Sequence, residues 1–178
     1  TSEAEVVHAP PGEERRRRVH TDRGVHALVQ AYRQLGHFVA KLDPLGHNRA
    51  SLPLLELSEF GIEAGDLEKG VGNGGFLGET DGSLRGLLAK LKMTYCRSIG
   101  IEYMDIPDKE QRTWLQERIE PCLNHPALSE EKSRQTLSRL MAAEEFEQFL
   151  HTRYIGQKRF SLEGGESLVP LLDELVST

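Results

Sequence analysis

The sequence is 178 residues long, 38% apolar and 28% charged, with 22 Lys and Arg against 28 Asp and Glu and a net charge of −6. That size fits one soluble domain of roughly 100–200 residues, and no apolar run approaches the ~20 residues a membrane span needs. Each half carries three more acidic than basic side chains, which argues against general nucleic-acid binding, because that needs a concentrated positive surface.

Residues 1–20 read as a polar, flexible arm. Pro10, Pro11 and Gly12 precede Glu13, Glu14 and the basic run Arg15 to Arg18, which reads as a solvated tail, with phosphate contact as the alternative. No hydrophobic stretch of a secretory signal is present, and the acidic residues argue against a transit peptide. The expected compartment is the cytoplasm, or the mitochondrial matrix in a eukaryotic source. From about Thr21 or Asp22, either a suitable N-cap, the residues Val25, Leu28, Val29, Tyr32, Leu35 and Val39 recur at helical spacing and predict a helix to about Lys41. Asp43-Pro44 stops it, since the residue before a proline is pushed out of the helical region. His37 lies four positions before Lys41 and six before Asp43, so its ring is expected to cap the helix end or bond a carbonyl, with catalysis as the alternative.

Residues 44–82 read as a long irregular connection with short helical turns, since nine of the 17 glycines fall between Gly61 and Gly86. Gly70, Gly72 and Gly75 formally satisfy G-x-G-x-x-G. That motif holds a pyrophosphate only when a buried strand leads into it and a helix opens directly after it; here the preceding EAGDLEK is polar and the next helix starts some ten residues later. That helix spans about Ser83 to Tyr95, with Leu84, Leu87, Leu88, Leu91 and Tyr95 on one stripe and Ser83 or Asp81 as cap. Ile99, Ile101 and Tyr103 alternate as in a short extended segment ending near Pro107.

A third helix, from about Asp108 to Glu120, carries Trp114, Leu115 and Ile119 and is closed by Pro121. Ser129 caps a further helical stretch in which Leu137, Leu140 and Met141, then Phe146, Phe149, Leu150 and Tyr154, form two apolar faces. A bend near Ala142-Ala143 would let both pack on one centre. Glu144, Glu145 and Glu147 read as the wet face. The segment KRFSLEGGE is compact and glycine-bearing, and the helix after it turns Leu168, Val169, Leu172, Leu175 and Val176 inward, with Pro170 tolerable only in its first turn. An apolar helix ending at Thr178 reads as a cut through a larger domain.

Chemistry is sparse. Cys96 and Cys122 form no C-x-x-C pattern and read as two buried thiols. None of the seven histidines falls in a metal-ligand pattern such as H-E-x-x-H. There is no G-x-S-x-G elbow, Walker loop or carboxylate pair at catalytic spacing.

Four segments carry a resemblance: AYRQLGHFVAKLDPLG at 31–46, TYCRSIGIEYMDI at 94–106, QRTWLQERIE at 111–120 and FLHTRYIGQKRFSLEGGESLVPLLDEL at 149–175. In this order and spacing they resemble the N-terminal helical region of the decarboxylating component of 2-oxoglutarate dehydrogenase, running into its first thiamine-type domain. The fold this implies is mainly α, an irregular multi-helix domain with long Gly-rich connections over residues 21–156. Residues 157–178 would begin a truncated α/β thiamine diphosphate-binding domain.

The resemblance implies thiamine diphosphate and Mg2+ in the complete enzyme, a homodimer, and a dihydrolipoyl succinyltransferase partner that accepts the succinyl group. Charge balance and the lack of a long apolar run leave neither nucleic acid nor membrane as an expected partner. No G-D-G occurs here, and after Gly82 the only asparagine is Asn124, so no catalytic or cofactor residue carries over and the segment alone is expected to bind neither group. Animal mitochondrial members have a calcium site near D-P-L-G; alignment on Asp43-Pro44-Leu45-Gly46 puts Phe38, Ser51 and Pro53 there, so calcium control is not expected. Lys158, Arg159, Glu163, Gly164 and Gly165 are candidates for a cleft border or, preferentially, for a tie between the helical region and the catalytic domain. His37, Lys41, Asp43 and Pro44 mark a structural motif. The expected role is to brace the dimer within the enzyme, and the alternative is a stand-alone helical docking module for the same complex.

Overall fold

The computed structural model describes residues 11–46, 51–158 and 160–177, with side chains from residue 22 onward. The side chains of Arg15 to Arg18 and the whole of Arg159 lie outside the described residues, and with them the roles expected of them. The architecture is mainly helical, and the chain divides between Pro126 and Ala127 into two compact units. Among the described residues no helix is long and apolar enough to cross a membrane.

In the first unit, helix α1 spans Pro11–Leu35. It starts about ten residues before the expected Thr21 or Asp22, inside the segment expected to be an arm. Proline suits a first helical position because its missing N–H would have no partner there, and the Glu and Arg run that follows has high helix propensity. The helix ends at Leu35, short of Lys41, and Gly36–Val39 tighten into a 3-10 turn. A side chain at Gly36 would lie 2.5 Å from Tyr95 Cβ, so close approach to the next helix fixes this end.

Helix α2, Leu84–Tyr95, is capped by Ser83, whose Oγ accepts from Gly86 N at 3.0 Å. Asp81 Oδ1 in turn accepts from Ser83 N at 2.9 Å and Ser83 Oγ at 2.7 Å, so both expected cap residues act, one behind the other. Hydrogen bonds to that carboxylate hold its pKa below the ordinary value. Val25, Leu28, Val29 and Tyr32 of α1 meet Leu84, Leu87, Leu91 and Tyr95 of α2 in the core, which Leu55, Ile62, Phe76 and Tyr103 complete. Each such aliphatic or Phe side chain contributes ~1.5–3 kcal/mol by leaving water.

Between the two helices run short 3-10 turns at Pro53–Leu55, Leu57–Phe60 and Ala64–Asp66. The glycine loop then doubles back: Val71 N donates to Gly82 O at 2.8 Å and Leu84 N to Lys69 O at 3.2 Å.

Ile99 to Tyr103 form no strand; Ile99 is exposed and Tyr103 buried. Helix α3, Lys109–Ile119, is capped by Asp108, which accepts from Glu110 N and Gln111 N. Trp114 is 52% exposed, with the Arg118 guanidinium 3.6 Å from its ring centroid. Leu123 and Asn124 take left-handed φ values of 52° and 53° and reverse the chain.

The second unit holds α4, Glu130–Arg153, and α5, Leu168–Ser177, joined by the Arg139–Asp173 and Lys132–Glu174 ion pairs. Helix α4 is one uninterrupted element about 36 Å long at 1.5 Å per residue, without the bend expected at Ala142-Ala143. Both apolar sets therefore stay largely open: Leu137, Met141, Phe146 and Phe149 on α4, and Leu168, Leu172, Leu175 and Val176 on α5, are exposed instead of inward. Two helices alone have too little volume to enclose all their apolar faces. Glu147, expected on the wet face, is instead buried and accepts from Ser161 Oγ at 3.0 Å. Pro170 sits in the first turn of α5, as its chemistry requires.

Candidate functional site

The most organised polar cluster of the first unit lies inside its core. Arg33, 5% exposed, faces fully buried Glu120 through Nε to Oε1 at 2.7 Å and Nη2 to Oε2 at 3.0 Å. Its Nη2 also donates to Gly75 O at 2.7 Å. Glu120 further accepts from Tyr95 OH at 2.6 Å on Oε1 and from Leu77 N at 2.7 Å on Oε2. Since the Tyr95 proton goes to Glu120, the 3.2 Å contact with Tyr103 is one in which Tyr103 OH donates to Tyr95.

Electrostatics follow from this geometry. Burial alone lowers the pKa of the Arg33 guanidinium, but the hydrogen bond and charge of Glu120 outweigh it and the net direction is up. Burial, then the Glu120 charge, pushes the Tyr95 phenol far up, and burial likewise raises Tyr103. Both phenols stay protonated donors. With each oxygen of Glu120 already accepting two hydrogen bonds, the cluster has no acceptor capacity to spare for a reacting group. Its chemistry is that of a staple between α1, the glycine loop, α2 and α3.

Sequence reasoning placed neither Arg33 nor Glu120. The available signal was an arginine beside Tyr32 on the apolar stripe of α1 and a glutamate immediately before Pro121. His26, likewise unassigned, contacts Gly74 O through Nδ1 at 2.9 Å and helps hold the same loop.

The D-P-L-G segment forms a turn. Asp43 Oδ1 accepts from Leu45 N at 2.7 Å, and its carbonyl accepts from Gly46 N at 3.1 Å, with Gly46 at φ 86°. Pro44 supplies the fixed φ of the second turn position. Lys41 N donates to Arg97 O at 2.8 Å, anchoring the exit from the 3-10 turn to the residues after α2. The His37 ring does not cap a carbonyl as expected. Its main-chain oxygen accepts from Ala40 N at 3.3 Å, Nε2 stands 3.8 Å from Glu102, the ring tilts against Phe38, and buried Nδ1 has no partner among the described residues. The ring is thus largely covered, with its Nε2 edge toward Glu102, and the chain end is left to main-chain bonds.

In the second unit, Lys158 and Glu163 are exposed, and the Gly164-Gly165 pair forms a tight turn. Gly164, at φ 84°, donates through N to Glu166 Oε1 at 2.9 Å, and Gly165 N donates to Leu162 O at 2.7 Å. The carboxylate beside this turn is therefore Glu166. Among the described residues no three His, Cys, Asp or Glu side chains are grouped to hold a metal ion.

No family model matches this chain. It is 45% identical over 152 residues, 84% of its length, to the multifunctional 2-oxoglutarate metabolism enzyme of Mycolicibacterium vanbaalenii. It is 46% identical over 152 residues, again 84% of its length, to the 2-oxoglutarate dehydrogenase E1 component of Cupriavidus necator. To the E1 component of Coxiella burnetii it is 40% identical over 151 residues, 85% of its length. The chain spans only 12% of the first relative and 16% of the other two. The matched part is a helical segment shared with dehydrogenase subunits. Specifically, the chain is homologous over most of its length to 2-oxoglutarate dehydrogenase E1 components.

Proposed function

We propose that this chain is a segment of a thiamine diphosphate-dependent subunit that decarboxylates 2-oxoglutarate and passes the succinyl group to a lipoyl-bearing succinyltransferase. The observation that carries this reading is 40–46% identity over some 84–85% of the chain to 2-oxoglutarate dehydrogenase E1 components and a multifunctional 2-oxoglutarate metabolism enzyme. Within the subunit, the segment's role is to brace a homodimer. The Arg33–Glu120 staple supports that role, because it makes the first unit rigid without offering a reacting group. Residues 157–178 open the adjoining catalytic domain, and Lys158, Glu163, Gly164 and Gly165 belong to the tie between the two. The compartment is the cytoplasm or an equivalent interior.

The described residues do not fit thiamine diphosphate and its Mg2+. They hold no cluster of metal-ligating side chains, and the Gly70–Gly75 loop pairs back on Gly82 and Ser83 where a diphosphate cradle would open a helix. The protein groups for that chemistry therefore belong to other parts of the subunit.

The test is the intact mass of the native polypeptide that carries this sequence, with thiamine diphosphate-dependent decarboxylation of 2-oxoglutarate assayed in the same sample. A mass several-fold above 20.0 kDa with activity is the expected result. A 20.0 kDa polypeptide without activity that still binds the succinyltransferase would overturn it in favour of a docking module.

A further inference from the structure

A cavity of about 560 Å³ opens between the end of α1 and the last turns of α2. That is within the roughly 300–1,000 Å³ of small-molecule sites. Its inner wall is apolar, with Leu55 and Leu88 drawn from the hydrophobic core or packed on it. Lys41, Lys92 and Arg97 also line it, and among the described residues none of the three has a carboxylate within ion-pair distance. Among the described lining residues the acidic one is Glu56. At the inner end stands Tyr32, 3% exposed, whose hydroxyl makes no hydrogen bond to any described residue. Among the described residues the buried side-chain polar atom without a partner is His37 Nδ1, so the Tyr32 hydroxyl is open to the cavity's solvent and offers a donor to a ligand oxygen that replaces water there.

We propose that this cavity binds an amphipathic organic carboxylate, its apolar body against Leu55 and Leu88 and its anionic head among Lys41, Lys92 and Arg97. The three exposed cations favour an anion through a Coulomb attraction that an uncharged ligand of the same shape lacks. The Tyr32 hydroxyl adds a polar contact for a ligand oxygen near the head or along the chain. The site is independent of the decarboxylation reading and stands even if that reading fails.

Cys96 lines the same cavity and supplies a reporter, while Cys122 lies elsewhere in the first unit. The experiment is site-resolved alkylation of the two cysteines by mass spectrometry, on the full chain as purified, with decanoate as probe and decanol as its uncharged counterpart. Decanoate is expected to slow alkylation of Cys96 about tenfold at saturation while Cys122 is unchanged, and decanol is expected to protect far less. Joint Lys92→Met and Arg97→Gln substitution should raise the half-protecting concentration of decanoate by about tenfold, and Tyr32→Phe by a smaller factor. Absence of protection by decanoate, or equal protection by decanol, would overturn the proposal without recourse to any variant. Equal protection of the charge-neutralised variant, with its Cys122 rate unaltered, would do the same.

Discussion

Arg33 and Glu120 are 87 positions apart in sequence yet share two hydrogen bonds, Nε to Oε1 at 2.7 Å and Nη2 to Oε2 at 3.0 Å, inside the core of the first unit. A buried pair of this kind is worth little against a well-packed apolar replacement, but removal of one partner strands the other charge at a cost of about 3–5 kcal/mol. Arg33→Met or Glu120→Leu alone should therefore lower stability by about that amount, and the double variant should lose much less than the sum. Tyr95→Phe, which deletes one donor to a charged acceptor, should cost about 1.5–3 kcal/mol. Urea unfolding midpoints read all four, and additive single and double losses would refute the coupling.

Glycine at position 78 is a matter of space. A Cβ there would lie 2.4 Å from Phe76 Cε1 and 2.8 Å from the main-chain oxygen of Glu120, whereas one at Gly72 would meet nothing within 4 Å. Gly78→Ala should destabilise by about 1–3 kcal/mol through overpacking, and Gly72→Ala should be close to neutral. Comparison of the two thermal midpoints checks this.

Burial pushes the Cys96 thiol up to about 11, against a smaller downward pull from Lys92. Its alkylation rate should stay low through mildly alkaline pH and keep rising towards about pH 11, where an exposed thiol has already levelled off. Lys92→Gln removes the downward pull and should slow the reaction further at fixed pH. The folded state holds this proton more tightly than the unfolded chain, so the thiol's contribution to stability is complete below the unfolded value. It is lost as pH rises through the interval up to about 11. A rate profile levelling off near pH 9 would contradict the burial.

Asp108 begins α3 by accepting from Glu110 N at 2.7 Å and Gln111 N at 3.3 Å. Asp108→Ala should cost about 1 kcal/mol and Asp108→Asn little, since either amide or carboxylate oxygen caps a helix. Hydrogen exchange at those two amides should accelerate in the alanine variant alone.

Helices α2 and α3 were legible in the sequence almost to the residue, because apolar spacing and side-chain caps coincide at Ser83 and Asp108. The start of α1 was not, since an amphipathic pattern marks a helix only where it packs, and residues 11–20 carry no apolar stripe. The same limit misdirected α4 and α5. Periodicity correctly marked their apolar faces, but whether such a face is covered depends on what packs against it, and Phe146 and Leu175 remain open. The Arg33–Glu120 pair was invisible for a different reason: charges so far apart in sequence pair only after the chain has closed around them, and no local pattern announces it.

That separation also has a consequence during synthesis. A ribosome adding roughly 5–20 residues per second needs about 4–17 s to travel from Arg33 to Glu120, and throughout that interval α1 carries a guanidinium destined for the core with no carboxylate to meet it. The Arg33–Glu120 contact of the first unit can therefore form only once the residue that follows α3 has been made.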